Sequence, residues 1–247
     1  LREVISGVVG KARNARMSVA AASSTATFTA DSLVVEDAAG RQYRLKNFNS
    51  IVNLTKTGAG GMDNGAAPSS GFIALYAIFN PVSNVAALLA VNATSAAAPE
   101  IYGGANMPSG YTASALVSVW PVAAAKFIIG FQQGRKLDVQ LVSAMTVATP
   151  SNNAYLPFSI ATLVPVNAKA WSGAINITGT ASVVGIVASD SGGLDAARVT
   201  ATGAAGTAVA TCSPFREVSI LTPQTAFYFF TASGTASINI YMSGYIF

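Results

Sequence analysis

Apolar runs in this chain are short, and Gly, Pro and Asn interrupt them before a helix could complete. The two longest, residues 72–79 and 85–91, have the length of strands. Elsewhere the period is two. Residues 17–19, 25–29, 32–36, 42–45, 51–54, 112–119, 126–132 and 137–142 read as strands, and so do 158–164, 173–178, 183–189, 196–202, 215–221, 227–230 and 237–242. Turn residues recur roughly every 8–12 positions, which predicts sandwiches or small barrels rather than helical packing. No repeat of a fixed period appears, so a solenoid or β-helix is not expected.

At this length the expectation is all-β, with two sandwich-like or small-barrel domains. Leu1, Val4, Ile5 and Val8 fall on one helical stripe, which predicts a short stalk or helical lead-in over 1–15. Turn residues concentrate in Thr149-Pro-Ser-Asn-Asn153 without apolar periodicity. That cluster divides a domain at 16–149 from one at 150–247. Asp37-Ala-Ala-Gly40 and Gly134-Arg-Lys136 are expected as tight turns, and Asn64-Gly65 as a type I′ hairpin turn in preference to a calcium loop at Asp63-Asn64. Aromatics at each position of 227–230 predict a strand buried on both faces, partly by a neighbouring subunit.

Composition bears on assembly. Charged residues are 10% of the chain, against about 25% in ordinary soluble domains. A surface so poor in charge predicts an oligomer in which identical partners cover each other. The apolar runs are too short for a spanning helix, which needs about 20 residues. They are also broken too often for the strands of a membrane barrel. Residues 1–56 hold eight Lys/Arg against four Asp/Glu, and the remainder holds six of each. Arg13, Arg16, Arg41, Arg44 and Lys46 read as solvated strand faces rather than a nucleic-acid footprint. Cys212 is the single cysteine and is expected to be a small buried hydrophobe.

Much catalytic chemistry is missing. There is no His, which removes Ser-His-Asp and Cys-His machinery and His-ligated metals. No Lys has a Ser three residues before it. Ile5 stands where a phosphate-binding loop ending at Gly10-Lys11 would need its first Gly, and Asp63 replaces the third Gly of a dinucleotide fingerprint. Asp190-Ser-Gly-Gly193 reads as a Gly-rich hairpin loop. Asp63, Glu100, Asp138, Asp190, Asp195 and Glu217 could pair only through the fold, so no enzyme, cofactor or metal is expected.

The stretch Thr57-Gly-Ala-Gly-Gly-Met-Asp-Asn-Gly65 leads into the aromatic run 72–79. Asn80-Pro81, Leu88-Leu89 and Met107-Pro-Ser-Gly-Tyr111 follow in that order. The order resembles a segment of bacteriophage tail fibres and related tail proteins, and covers about a quarter of the chain. Where those proteins carry a Trp-Tyr pair in the aromatic strand, this chain has Gly71-Phe72-Ile73. The resemblance implies a homotrimeric virion tail protein made in the host cytoplasm. Such a protein attaches to a surface polysaccharide or outer-membrane protein and joins other tail or baseplate proteins. A structural baseplate, collar or decoration protein is the alternative, and a bacterial adhesin or bacteriocin fibre a third reading. Trp120, Trp171, Tyr111 and Tyr155 are expected mainly in core or interface. Glu100, Tyr102 and Asn106 lie in an apparent insertion before the Pro-Ser-Gly-Tyr turn and are the candidate receptor-binding residues. There Tyr102 would stack on a sugar ring while Glu100 and Asn106 orient it.

Overall fold

The computed structural model describes residues 7–150 and 153–247, and none of these is helical. The chain divides into two compact units, Leu1–Leu137 and Asp138–Phe247. Among the described residues, strands form one large sheet of thirteen and one small sheet of four, and neither closes into a barrel. The all-β expectation therefore holds, and its small-barrel alternative does not. The predicted stripe at Leu1, Val4 and Ile5 lies outside the described residues, while Val8 is exposed in a turn.

The first unit contains β1 (Ala12–Arg13), β2 (Arg16–Val19), β3 (Thr25–Asp37), β4 (Gln42–Asn53), β5 (Ser70–Asn80), β6 (Val85–Asn92), β7 (Ala113–Ala123), β8 (Lys126–Phe127) and β9 (Gly130–Gln133). Its strands run in the order β9-β2-β3-β7-β5-β6, with β1 and β4 also on β3 and β8 on β7. Residues 72–79 of β5 and 113–122 of β7 are buried on both faces. Their continuous apolar character reflects two covered faces rather than a helix.

Strands 25–29 and 32–36 are one strand, and so are 42–45 and 51–54. In β3, Phe28 and Ala30 point inward before Asp31, but Leu33 and Val35 do so after it. In β4, Leu45 and Phe48 are both buried with Lys46 and Asn47 exposed between them. Asn47 has φ 50°, and Asn14, at the break between β1 and β2, has φ 53°. The β1–β2 break, β3 and β4 change phase together, the first and last of them at Asn residues that tolerate the left-handed region. The Asn14 amide donates to the Asp31 carboxylate at 2.6 Å within this irregularity.

At the β3–β4 turn, Gly40 has φ 76° and its N–H bonds the Asp37 carbonyl at 2.9 Å. Asn64-Gly65 is not a hairpin turn: Gly65 has φ 65°, but Asn64 is not left-handed, and a type I′ turn needs both. That conformation instead occurs at Ala124-Ala125, with φ 50° and 57°, between β7 and β8.

The second unit contains most of β10 (Lys136–Val147), then β11 (Leu156–Ser159), β12 (Ala170–Thr180), β13 (Val183–Ala188), β14 (Ala197–Ala201), β15 (Ala208–Ser219), β16 (Thr225–Ala232) and β17 (Ala236–Ile246). Its strands run β15-β12-β17-β10 in the large sheet and β11-β16-β13-β14 in the small one. Gly185 of β13 lies over Ile175, Ile177 and Ile238, where a Cβ would come within 2.7 Å of Ile177. Glycine thus lets the two sheets approach.

Two expectations fail in this unit. The strand predicted at 158–164 ends at Ser159, and residues 161–163 form a turn closed by Leu163 N–H to Ile160 O at 2.9 Å. Residues 227–230 are expected to be buried partly by a neighbouring subunit, and within the chain one of their faces is covered. Tyr228 and Phe230 point inward and Phe227 and Phe229 are half-exposed, because β16 is covered on one face only within the chain. Cys212 is exposed, since it occupies the outward register of β15 opposite Asn176. Asp190 closes the β13–β14 loop as expected, its Oδ1 accepting from Gly192 N–H and Leu194 N–H, each at 2.9 Å.

Candidate functional site

The Gly-rich segment 57–65 docks along the edge of β6 because its glycines bring backbone close to backbone. Gly60 N–H donates to Leu88 O at 2.7 Å, Ala90 N–H to Gly61 O at 2.8 Å, and Asp63 N–H to Ala90 O at 2.7 Å. A Cβ at Gly61 would sit 2.4 Å from the Lys56 carbonyl oxygen. Met62 is buried as a result, and Asp63 is held with its carboxylate half-exposed.

The connection from β6 to β7 folds over this loop. The Tyr102 hydroxyl donates to Asp63 Oδ2 at 2.9 Å and accepts from Asn106 N–H at 3.2 Å, while Tyr102 N–H bonds Ser114 Oγ at 2.9 Å. Its ring meets Tyr76 edge-on with centroids 5.5 Å apart. Tyr76 in turn donates to Pro99 O at 2.8 Å. Tyr102 is only 9% exposed, so its ring pins the connection instead of offering a face to solvent. Burial, and then the hydrogen bond to Asp63, raises its pKa above the ordinary tyrosine value. Tyr76 is raised as well, chiefly by burial and then by the charge of Glu100.

Glu100 makes a bidentate ion pair with the Arg135 guanidinium, which projects from the Gly134-Arg135 turn between β9 and β10. The pairing of the backbone Leu116 N–H with Glu100 O at 2.8 Å fixes the same residue to β7. Beside this pair lies a cavity of about 240 Å³, floored by Ala15, Phe28 and Leu116 and rimmed by Lys11 and Arg135.

The fold thus brings Glu100 and Tyr102 into one structure, but both face partners of this chain. The expected sugar platform at Tyr102 is corrected on that ground: the absence of a side chain at Gly104 lets the connection close over the ring. A Cβ at Gly104 would sit 2.4 Å from the Tyr102 hydroxyl. Asn106 remains exposed at the outer end of the connection. The partners Asp63 and Arg135 were not foreseen, although the Gly-rich loop and the Gly134 turn that carry them were.

The other aromatics are mostly internal. Trp120 and Trp171 are fully buried, and Trp120 Nε1–H donates to Ile128 O at 3.1 Å. Tyr111 and Tyr155 are half-buried, with Tyr155 against Phe229 at 5.3 Å. Arg13 and Arg41 pair with Asp31 and Asp37. Among the described residues no three His, Cys, Asp or Glu side chains gather as metal ligands. Asp195 accepts from Ser219 N–H at 2.7 Å, so this carboxylate too is tied to a local backbone. No protein-family model matches the chain, and no curated protein matches it.

Proposed function

We propose that this chain is the receptor-binding part of a bacteriophage tail fibre or related tail protein, a homotrimer that attaches the virion to its bacterial host without enzymatic action. One observation supports this above the rest. The pieces that resemble tail fibres meet in space as well as following one another in sequence. The Gly-rich loop lies along Leu88 and Ala90 of the Leu-Leu strand. Asn80 Oδ1 caps Val82 N–H and Ser83 N–H at 3.0 and 3.1 Å, and its amide packs where a Cβ on Gly110 would fall. Thr112 N–H returns to Phe79 O at 3.1 Å. Gly61, Asn80 and Gly110 in particular have a structural reason for their type and spacing. A rigid β scaffold with exposed connecting loops is also the architecture on which recognition surfaces are usually carried.

In this reading Glu100 and Tyr102 shape the binding loops, and Asn106 with its exposed neighbours contacts the receptor. Other tail or baseplate proteins hold the assembly in the virion, and neither cofactor nor nucleic acid takes part. The test is adsorption of the fluorescently labelled protein to a panel of bacterial strains, with release of surface oligosaccharide followed in parallel. Saturable, strain-selective binding without sugar release is expected. Absence of binding to every host of the parent phage would leave a purely structural virion role.

A further inference from the structure

A second surface of the first unit has the chemistry of a ligand site. β4 pairs with β3 alone, and β6 pairs with β5. The Gly-rich loop occupies the β6 edge at Leu88 and Ala90, so the beginning of β6 lies beyond its cover. Between the outer side of β4 and the β5–β6 turn lies a cleft of about 390 Å³. It is lined by Arg44, Lys46, Asn47, Asn49, Asn84 and the ring of Phe79, among others, and by no Asp or Glu.

Local geometry presents these side chains outward. The phase change at Asn47 leaves both Lys46 and Asn47 exposed, where strict alternation would have turned one of them inward. Asn84 is also left-handed, at φ 57°, in a turn that Asn80 caps. Phe79 forms an apolar floor, braced by Tyr43 at 5.3 Å between ring centroids. Among the described residues, the side chains of Lys46, Asn47, Asn49 and Asn84 make no hydrogen bond or ion pair, and Arg44 has only Ser32 Oγ, at 2.8 Å.

From this set we infer that the cleft binds an acidic saccharide, a sugar bearing a carboxylate or a phosphate. Amides hydrogen-bond vicinal hydroxyls as donor and acceptor at once, whereas Arg and Lys only donate and select a negative charge. The volume suits a small ligand, being in the lower part of the range of about 300–1,000 Å³ for such sites. An added β-strand from a peptide fits poorly, because charge and a left-handed residue at a sheet edge oppose strand pairing. The inference rests on the reading that this chain contacts a cell surface, and it gives that contact a ligand class and a place.

The test is calorimetric titration of the full chain with three oligosaccharides of matched length, one of uronic acids, one phosphate-bearing and one neutral. At least one acidic probe is expected to bind, and the neutral one much more weakly. The double substitution Arg44→Gln with Lys46→Gln should weaken acidic binding by about tenfold or more, as should Asn84→Gly, which removes the amide and tolerates the left-handed backbone there. Thermal unfolding should stay unchanged, because these side chains are exposed. Raising salt from about 50 mM to about 500 mM should weaken the same binding. Which acidic probe binds identifies the source of the charge. Equal binding of neutral and acidic probes, or binding indifferent to the substitutions, overturns the inference. If the protein adsorbs to host cells but ignores all three probes, the saccharide inference falls and the attachment reading stands. If it does neither, both fall.

Discussion

Removing the ring of Tyr102 would take away a packing partner of Tyr76, the hydroxyl donor to Asp63 and the acceptor for Asn106 N–H. Tyr102→Ala should therefore destabilise the first unit by about 3 kcal/mol, in the range for losing a buried aromatic. Tyr102→Phe should cost only about 1 kcal/mol, because the Asp63 carboxylate is half-exposed and can be hydrated. Chemical denaturation of the two variants checks this, and an equal cost for both would mean that the hydroxyl matters more than the ring. Asp37 makes a pH-dependent contribution. Its burial acts to raise the pKa, but hydrogen bonds from the Arg41 N–H and side chain and from Ala39 N–H, with the Arg41 charge, outweigh burial and lower it below the ordinary 3.8. A depressed carboxylate stabilises the fold above its unfolded pKa, and that stability disappears as pH falls through the folded value. Stability of the wild type should thus drop below about pH 4. In Asp37→Asn this part of the drop should be missing, which acid titration of unfolding free energy will show.

At the scale of elements, hairpins are where local chemistry and observed geometry part. The Gly40 and Gly134 turns have left-handed glycines where the sequence places them. The Ala124-Ala125 turn adopts two left-handed residues without Asn or Gly. Its conformation is imposed by the pairing of Ala123 with Lys126 and of Val122 with Phe127, whose ring is fully buried against Trp120. Alanine in this region costs roughly 1 kcal/mol or more per residue. Ala124→Asn together with Ala125→Gly should consequently raise stability by about 1 kcal/mol and leave the fold unchanged, as measured by thermal unfolding. A loss of stability would indicate that the alanine methyl groups pack in a way that offsets their strain.

For the whole molecule, the low charge is the strongest indication of assembly. Leu141 and Val142 of β10 and Val82 of the β5–β6 turn are large apolar side chains left exposed, and Cys212 of β15 is exposed as well. Sedimentation at micromolar concentration is expected to give about three times 25.0 kDa. A stable monomer there would remove the inference drawn from composition and leave those side chains as ordinary surface.

What the sequence by itself determined was mostly local. Period-two patterning located most of the strands, because side-chain alternation is a property of each strand alone. The absence of His removed whole classes of chemistry with no fold required. Tertiary structure decided which faces were covered. It buried β5 and β7 on both sides and left 227–230 covered on one. It turned Cys212 outward, and made two apparent strand pairs into the single strands β3 and β4 through a phase change at Asp31 and Asn47. It also gave Tyr102 and Glu100 their partners, Asp63 and Arg135, which lie 39 and 35 residues away along the chain. Separations of that size are set by strand pairing and loop closure, and no window of local sequence contains them.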